Sequence, residues 1–294
     1  MLVQNVAGAR EVSASSRSPG KGADLQDQPA EQAATLAALT ARLFATALPG
    51  EVEELDEAAR AAIAGFMAEA AAARPADAPV IRLEPLAEGG RERRLRLAII
   101  GEDRPFLVDS TAAAVTAAGI DIHRLLHPII DVNRDAAGSL LGIAANDGKA
   151  PAPGSIRESM IYMEIDQVAP KARAALVESL AAVLADVRAA VTDWPAMLAL
   201  LKESIRALAD NPPPLAPHRT AEAMAFLEWL AADNFTLLGA RRYQLTGDLD
   251  DAGLVPESDV ALGILRDPDY PVWTGRRGDA DTPRALKALL ASSE

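Results

Sequence analysis

The sequence predicts an α+β chain: a helical hairpin, then a mixed ferredoxin-like unit of β-α-β-β-α-β type, then the start of a second α+β module. Three observations carry this. Apolar residues recur at helical spacing before residue 74, and alternate at strand spacing between Arg93 and Asp166. Prolines and glycines punctuate the two regimes.

The first 28 residues are rich in Ser, Gly and Ala and have no continuous apolar run. Residues 1–30 therefore read as a disordered leader and not as a secretory signal. Residues 31–78 read as the hairpin. Leu36, Leu39, Leu43 and Phe44 mark one helix, ended by Pro49-Gly50; Leu55, Ala59, Ile63, Phe66 and Met67 mark a second, stopped by Pro75.

Residues 79–192 change texture. Val80, Ile81 and Leu83 form a short extended stretch, and Leu95, Leu97 and Ile99 alternate with Arg94, Arg96 and Ala98 in a strand. Gly101 to Pro105 is a turn, and Phe106 to Ala118 a helix closed by Gly119. Ile120 to Arg134 reads as one long strand, with Ile122, Leu126, Ile130 and Val132 on one face and Asp121, His123, His127 and Asp131 on the other. A return strand starts at Ser139, another strand covers Ile156 to Asp166, and Pro170 opens a long helix. A ferredoxin-like unit is the nearest common architecture.

Residues 193–216 read as a fresh helix and a linker. Asp193 is placed to cap that helix, with Pro195 in its first turn, and Pro212-Pro213-Pro214 is a stiff boundary. Residues 217–294 hold a helix with Met224, Leu227 and Leu230, a strand from Phe235 to Leu245, an acidic turn, and a last helical stretch from Arg284 to Leu290. This reads as a partial module, cut short.

Composition narrows the function classes. Half the residues are hydrophobic but only 4% are aromatic, so the cores are built from Ala, Leu, Val and Ile. A net charge of −13 excludes the basic surface that nucleic acid or an anionic membrane requires. No apolar run is long enough for a membrane span. The absence of cysteine removes thiolate chemistry and fits a reducing cytoplasm.

No site motif for dehydrogenase, phosphate or metal chemistry emerges from the residues themselves. Neither G-x-G-x-x-G nor G-x-x-x-x-G-K-[ST] occurs. His123 and His127 lie four apart on a predicted strand, about 13 Å, too far to share an ion. Ser110 and Ser159 have no histidine placed by sequence to activate them. The turn Gly101 to Pro105 leaves free amides at a helix start. These can bind a carboxylate, or Asp103 can cap them itself; both readings stand.

The stretch Asp103-Arg104-Pro105-Phe106-Leu107-Val108-Asp109-Ser110, followed by Gly119-Ile120-Asp121-Ile122-His123, His127-Pro128 and Asn133-Arg134-Asp135 with Gly138, resembles the amino-terminal ACT-like region of the large bacterial NAD-specific glutamate dehydrogenases. Glu158-Ser159-Met160, Glu164-Ile165-Asp166, Asp193-Trp194-Pro195, Phe226 to Leu230, Asn234 to Gly239 and Gly263-Ile264-Leu265 extend the resemblance in order.

The resemblance implies an ACT-like domain over residues 79–192 and a possible ACT-like second module. It implies a regulatory or assembly segment of an enzyme that converts L-glutamate and NAD to 2-oxoglutarate, ammonia and NADH. It carries over no catalytic residue: the lysines are Lys21, Lys149, Lys171, Lys202 and Lys287, none in a glycine-rich setting. NAD is accordingly expected in the full-length parent and not in this segment. The ligand-binding candidates are Gly101, Asp103 and Pro105, with an amino acid as effector. Where a typical ACT turn has glycine after the proline, Phe106 stands here and crowds the approach. The expected partners are a second copy or the parent's catalytic domain. The alternatives are a free-standing amino-acid sensor and a purely structural oligomerisation domain, whose motive is the mixed strand face of His123, Leu125, His127 and Ile129.

Overall fold

The computed structural model describes residues 2–5, 28–86, 94–144, 151, 153–246, 253–268 and 270. The loop at Gly89-Gly90, the acidic turn at 247–252 and the stretch Arg284 to Leu290 lie outside them. Contacts divide the chain into two units, Met1–Leu184 and Ala185–Glu294.

In the first unit, strand β1 (Leu2–Asn5) precedes helix α1 (Gln28–Ala45), one turn of helix α2 (Pro49–Val52) and helix α3 (Glu57–Ala71). The expected hairpin is there. Asp56 caps α3 by accepting from the Ala59 amide at 2.7 Å, which satisfies one orphan donor of the first turn. Strands β2 (Val80–Pro85) and β3 (Arg94–Glu102) follow, then helix α4 (Leu107–Ala117), strands β4 (Ile122–Leu126), β5 (Ile129–Arg134), β6 (Leu140–Ile143) and β7 (Ile156–Asp166), and helix α5 (Pro170–Asp210).

Every described strand pair is antiparallel. The order is β1-β2-β3-β7-β5-β6, with β4 on the same edge of β7 as β5. The ferredoxin-like expectation holds for the β3-α4-β4/β5-β7-α5 core. The closing strand of the β-α-β-β-α-β expectation does not follow α5: the edge of β3 that it would take is paired with β2, from upstream of the unit. The leader is corrected at its start: Leu2–Asn5 pairs with Val80–Leu83, because the outer edge of β2 offers a row of unpaired amides and carbonyls.

One sheet face packs under the hairpin. Ile63, Phe66, Met67 and Ala70 of α3 and Leu39 and Leu43 of α1 bury Val80, Ala98, Ile100, Met160 and Tyr162. Phe66 meets Tyr162 edge to face at 6.1 Å. The opposite face carries Ile81, Leu83, Leu97, Ile99, Ile161, Met163 and Ile165, all buried. Helix α4 and the first half of α5 also carry buried apolar residues, Leu107, Val115, Val177 and Leu180.

The long strand expected over Ile120 to Arg134 is two strands. Pro128 has no amide to give the ladder, so pairing lapses at His127-Pro128 and resumes at Ile129. Asp131, expected on a polar face, is buried, its carboxylate held by Arg157 at 2.8 and 3.1 Å.

In the second unit, α5 does not restart at Asp193. It runs through Pro195 without interruption, so Asp193 is no N-cap, and the chain divides within this helix and not at Pro212-Pro213-Pro214. Helix α6 (Pro217–Trp229) leads into a π turn at Leu230–Asn234 and a two-stranded sheet of β8 (Gly239–Thr246) and β9 (Gly253–Gly263).

The Asp193 carboxylate accepts from the Gly263 amide at 2.7 Å and from Arg266 at 2.5 Å on each oxygen. Those contacts explain its place: the side chain ties the helix to the hairpin. Gly263 sits at φ +60, and a Cβ there would meet the Leu238 carbonyl oxygen at 2.1 Å. Three separate stretches of the resemblance, Asp193-Trp194-Pro195, Leu238-Gly239 and Gly263-Ile264-Leu265, thus meet in one hydrogen-bonded cluster.

Candidate functional site

The turn between β3 and α4 faces the β4–β5 break across an open hollow of about 470 Å³, lined by residues 103–109 with His127 and Ile129. Both walls exist because a strand ends there. On one side β3 stops at Glu102, and the Asp103 amide donates to the Arg157 carbonyl at 3.1 Å. On the other, Pro128 interrupts the ladder and turns His127 out of strand pairing.

Phe106 holds φ +69 and ψ +3, the left-handed conformation that glycine adopts freely and other residues adopt at a cost. The backbone therefore keeps the shape of the glycine turn while presenting a half-exposed ring to the rim. No side chain caps α4. Phe106, and not Asp103, occupies the N-cap position of α4, and its side chain makes no cap hydrogen bond.

His127 shares a hydrogen bond with Ser159 Oγ at 2.8 Å, and Ser159 is buried on β7. Burial pushes the imidazole below its ordinary pKa, and the Asp103 carboxylate pulls it partly back. That shift favours the neutral ring. The rim therefore offers an acid (Asp103), a neutral imidazole (His127) and apolar surface from Pro105, Phe106 and Ile129. That set suits a small zwitterion or the apolar edge of another polypeptide.

Of the sequence-predicted residues, Asp103 and Pro105 line the hollow together. Gly101 does not; it lies inside β3 opposite Ser159. The two histidines part ways. His123 sits at an irregularity of β4 and pairs with Asp166 at 2.7 Å, which holds that carboxylate below its usual range. His127, Ile129 and Ser159 were not legible as site residues. The available signal was the His127-Pro128 pair inside an otherwise strand-like stretch. Ser159, read in the sequence as lacking a histidine, has one through the fold.

The dinucleotide crevice of the doubly wound fold is built at the carboxyl ends of parallel strands followed by a glycine-rich turn, whereas each described strand pair here is antiparallel. No helix among the described residues is long and apolar enough to cross a membrane.

Residues 39–180 match the model of the glutamate dehydrogenase ACT1 domain. The NAD-specific glutamate dehydrogenase of Halomonas elongata is 34% identical over 195 residues, 65% of this chain and 12% of that protein. The Pseudomonas aeruginosa protein of the same name is 28% identical over 179 residues, 60% of this chain and 11% of its own length. The Mycobacterium tuberculosis protein is 30% identical over 174 residues, 58% and 10%. The chain matches about a tenth of the length of these relatives. Helix α3, strands β2 to β7 and the hollow fall within residues 39–180, and this chain carries there the ACT1 domain of the NAD-specific glutamate dehydrogenase family.

Proposed function

We propose that the chain is the amino-terminal regulatory and assembly segment of a cytoplasmic NAD-dependent glutamate dehydrogenase, and has no dehydrogenase activity by itself. The full-length protein would oxidise L-glutamate with NAD to 2-oxoglutarate, ammonia and NADH. The match to the ACT1 domain carries this reading. The antiparallel sheet supports the division of labour, since it gives hydride transfer no dinucleotide crevice.

The test compares the purified 294-residue chain with the longer polypeptide that contains it. Glutamate-dependent NADH formation is expected from the longer polypeptide only. Turnover by the 294-residue chain alone sinks the proposal.

A second reading places an amino-acid effector in the hollow. Asp103, His127 and the apolar rim favour it, and Phe106 opposes it by standing where the approach would be open. Calorimetric titration of the chain with a panel of amino acids decides between them. Binding heat that disappears in Asp103→Ala supports the effector, and flat heats throughout remove it.

A further inference from the structure

We infer that residues 48–51 form a latch over the outer edge of β4, held shut by the Glu51 carboxylate, which opens on a hinge at Val52–Leu55 without unfolding the sheet. Strand β7 carries β4 and β5 in tandem on one edge. Strand β5 passes the ladder on to β6, but among the described residues β4 has no strand on its other edge. An edge strand turns alternate amides and carbonyls outward, where another chain can pair with them unless something covers them. The register of β4 slips between Ile122 and Arg124, so its regular stretch is Arg124–Leu126. The outward amide of that stretch is Leu125's. It donates not to β7 but to Glu51 Oε2, at 3.2 Å. One carboxylate thus stands where a neighbouring strand's carbonyl would be.

The latch is tied by polar contacts and not by burial. No residue from 48 to 55 is buried, and Leu48 is 70% exposed. A Cβ added at Gly50 would meet nothing within 4 Å, so no part of the unit lies over that turn. The two ends are held differently. On the sheet side, Arg124 Nε donates to the Glu51 carbonyl at 2.9 Å, while its Nη1 donates to the buried Glu164 carboxylate of β7, also at 2.9 Å. On the hairpin side, Arg60 of α3 donates to the carbonyls of Val52 and Leu55 at 3.0 and 3.2 Å, with its guanidinium over the Phe44 ring. Val52 and Leu55 also pack partly on the core. The Val52–Leu55 end is therefore anchored in α3, and the Leu48–Glu51 end depends on β4. Releasing the Glu51 contacts frees that end and bares the β4 edge, while the pairing of β4 with β7 is untouched.

Native-state hydrogen exchange on the full 294-residue chain, read amide by amide, tests it. The Leu125 amide is expected to exchange at least about tenfold faster than the amides of β7, because it opens with the latch and not with the sheet. Glu51→Ala is expected to speed Leu125 roughly tenfold further and to leave β7 unchanged. Glu51→Gln keeps an oxygen that can accept the same bond, and is expected to keep most of the protection. Leu125 exchanging in step with β7 in the wild type overturns the inference, since the edge would then open only with the sheet. An unchanged Leu125 in Glu51→Ala overturns it by removing the carboxylate as the latch. Glu51→Ala speeding β7 as much as Leu125 overturns it by making residues 48–51 part of the sheet's cooperative core. Glu51→Gln exchanging as fast as Glu51→Ala overturns the hydrogen bond as what holds the latch.

Discussion

Glu158 has no exposed surface, and its carboxylate accepts from Arg74 Nε at 2.6 Å and from Arg134 on both oxygens at 2.8 Å. Arg134 also donates to the carbonyls of Ala71 and Gly138, so one side chain ties the end of α3 to the β5–β6 turn and to β7. Removing the carboxylate leaves two buried guanidinium groups without an anion. Glu158→Ala is expected to cost on the order of 3–5 kcal/mol, read from the midpoint of urea unfolding. A loss under about 1 kcal/mol would show that water reaches the site and that the triad is not buried in solution. Phe106 argues in the other direction. Its ring is half exposed and its backbone sits where glycine is at ease, so Phe106→Gly removes strain and little packing. A gain of up to about 1 kcal/mol is expected in the same measurement. His127 adds a pH dependence. Its folded pKa lies below the unfolded value, so between the two the unfolded chain binds more protons and stability rises with pH. Stability contributed by this ring is therefore whole above the unfolded imidazole pKa and falls as the pH is lowered through it. His127→Gln should flatten the stability–pH curve across that window; an unchanged slope would assign the window to other groups.

At the scale of the element, periodicity made the hairpin, β3, α4 and β7 legible, because the helices bury a regular stripe and the two strands set alternating side chains on the sheet's two buried faces. It failed where a tertiary contact overrides a local signal. Asp193-Trp194-Pro195 has the form of a helix start, yet α5 runs straight through it because the Asp193 carboxylate is committed to Gly263 and Arg266, some seventy residues away. Nothing local to Asp193 reports that partner. The reverse holds at His127-Pro128, where the proline did announce the break between β4 and β5, and the alternating residues around it hid the signal. The same gap concealed the hollow: Asp103 and Pro105 can be read from one turn, but His127 and Ser159 join them only through strand register. Pro195 offers a test at this scale. It is exposed, and inside a continuous helix it withholds one backbone hydrogen bond. Pro195→Ala should stabilise the second unit by about 1–3 kcal/mol. A destabilised variant would mean that the proline maintains a bend the unit needs.

At the scale of the whole molecule, the two units rest on different interactions. The first has a two-sided sheet with a deep apolar face under α1 and α3 and a buried Arg–Glu–Arg triad. The second has a two-stranded sheet, an α6 without a fully buried side chain, and the Asp193 tie to Gly263 and Arg266. A two-stranded sheet is marginal without further packing, so the second unit should unfold first. Calorimetry of the chain is therefore expected to show two transitions in place of one two-state peak. Asp193→Ala should lower the weaker transition alone, since the buried amide of Gly263 loses its acceptor there, a loss of about 1–2 kcal/mol with the exposed Arg266 discounted for solvent. Glu158→Ala should lower the stronger transition alone. Helix α5 belongs to both units, and stability can pass between the transitions along it. If Asp193→Ala and Glu158→Ala each move both transitions together, α5 transmits stability across Leu184 and Ala185, and the chain unfolds as one cooperative body. If each moves its own, the ACT1 unit is an independent folding unit, and its hollow can be altered without disturbing the second unit.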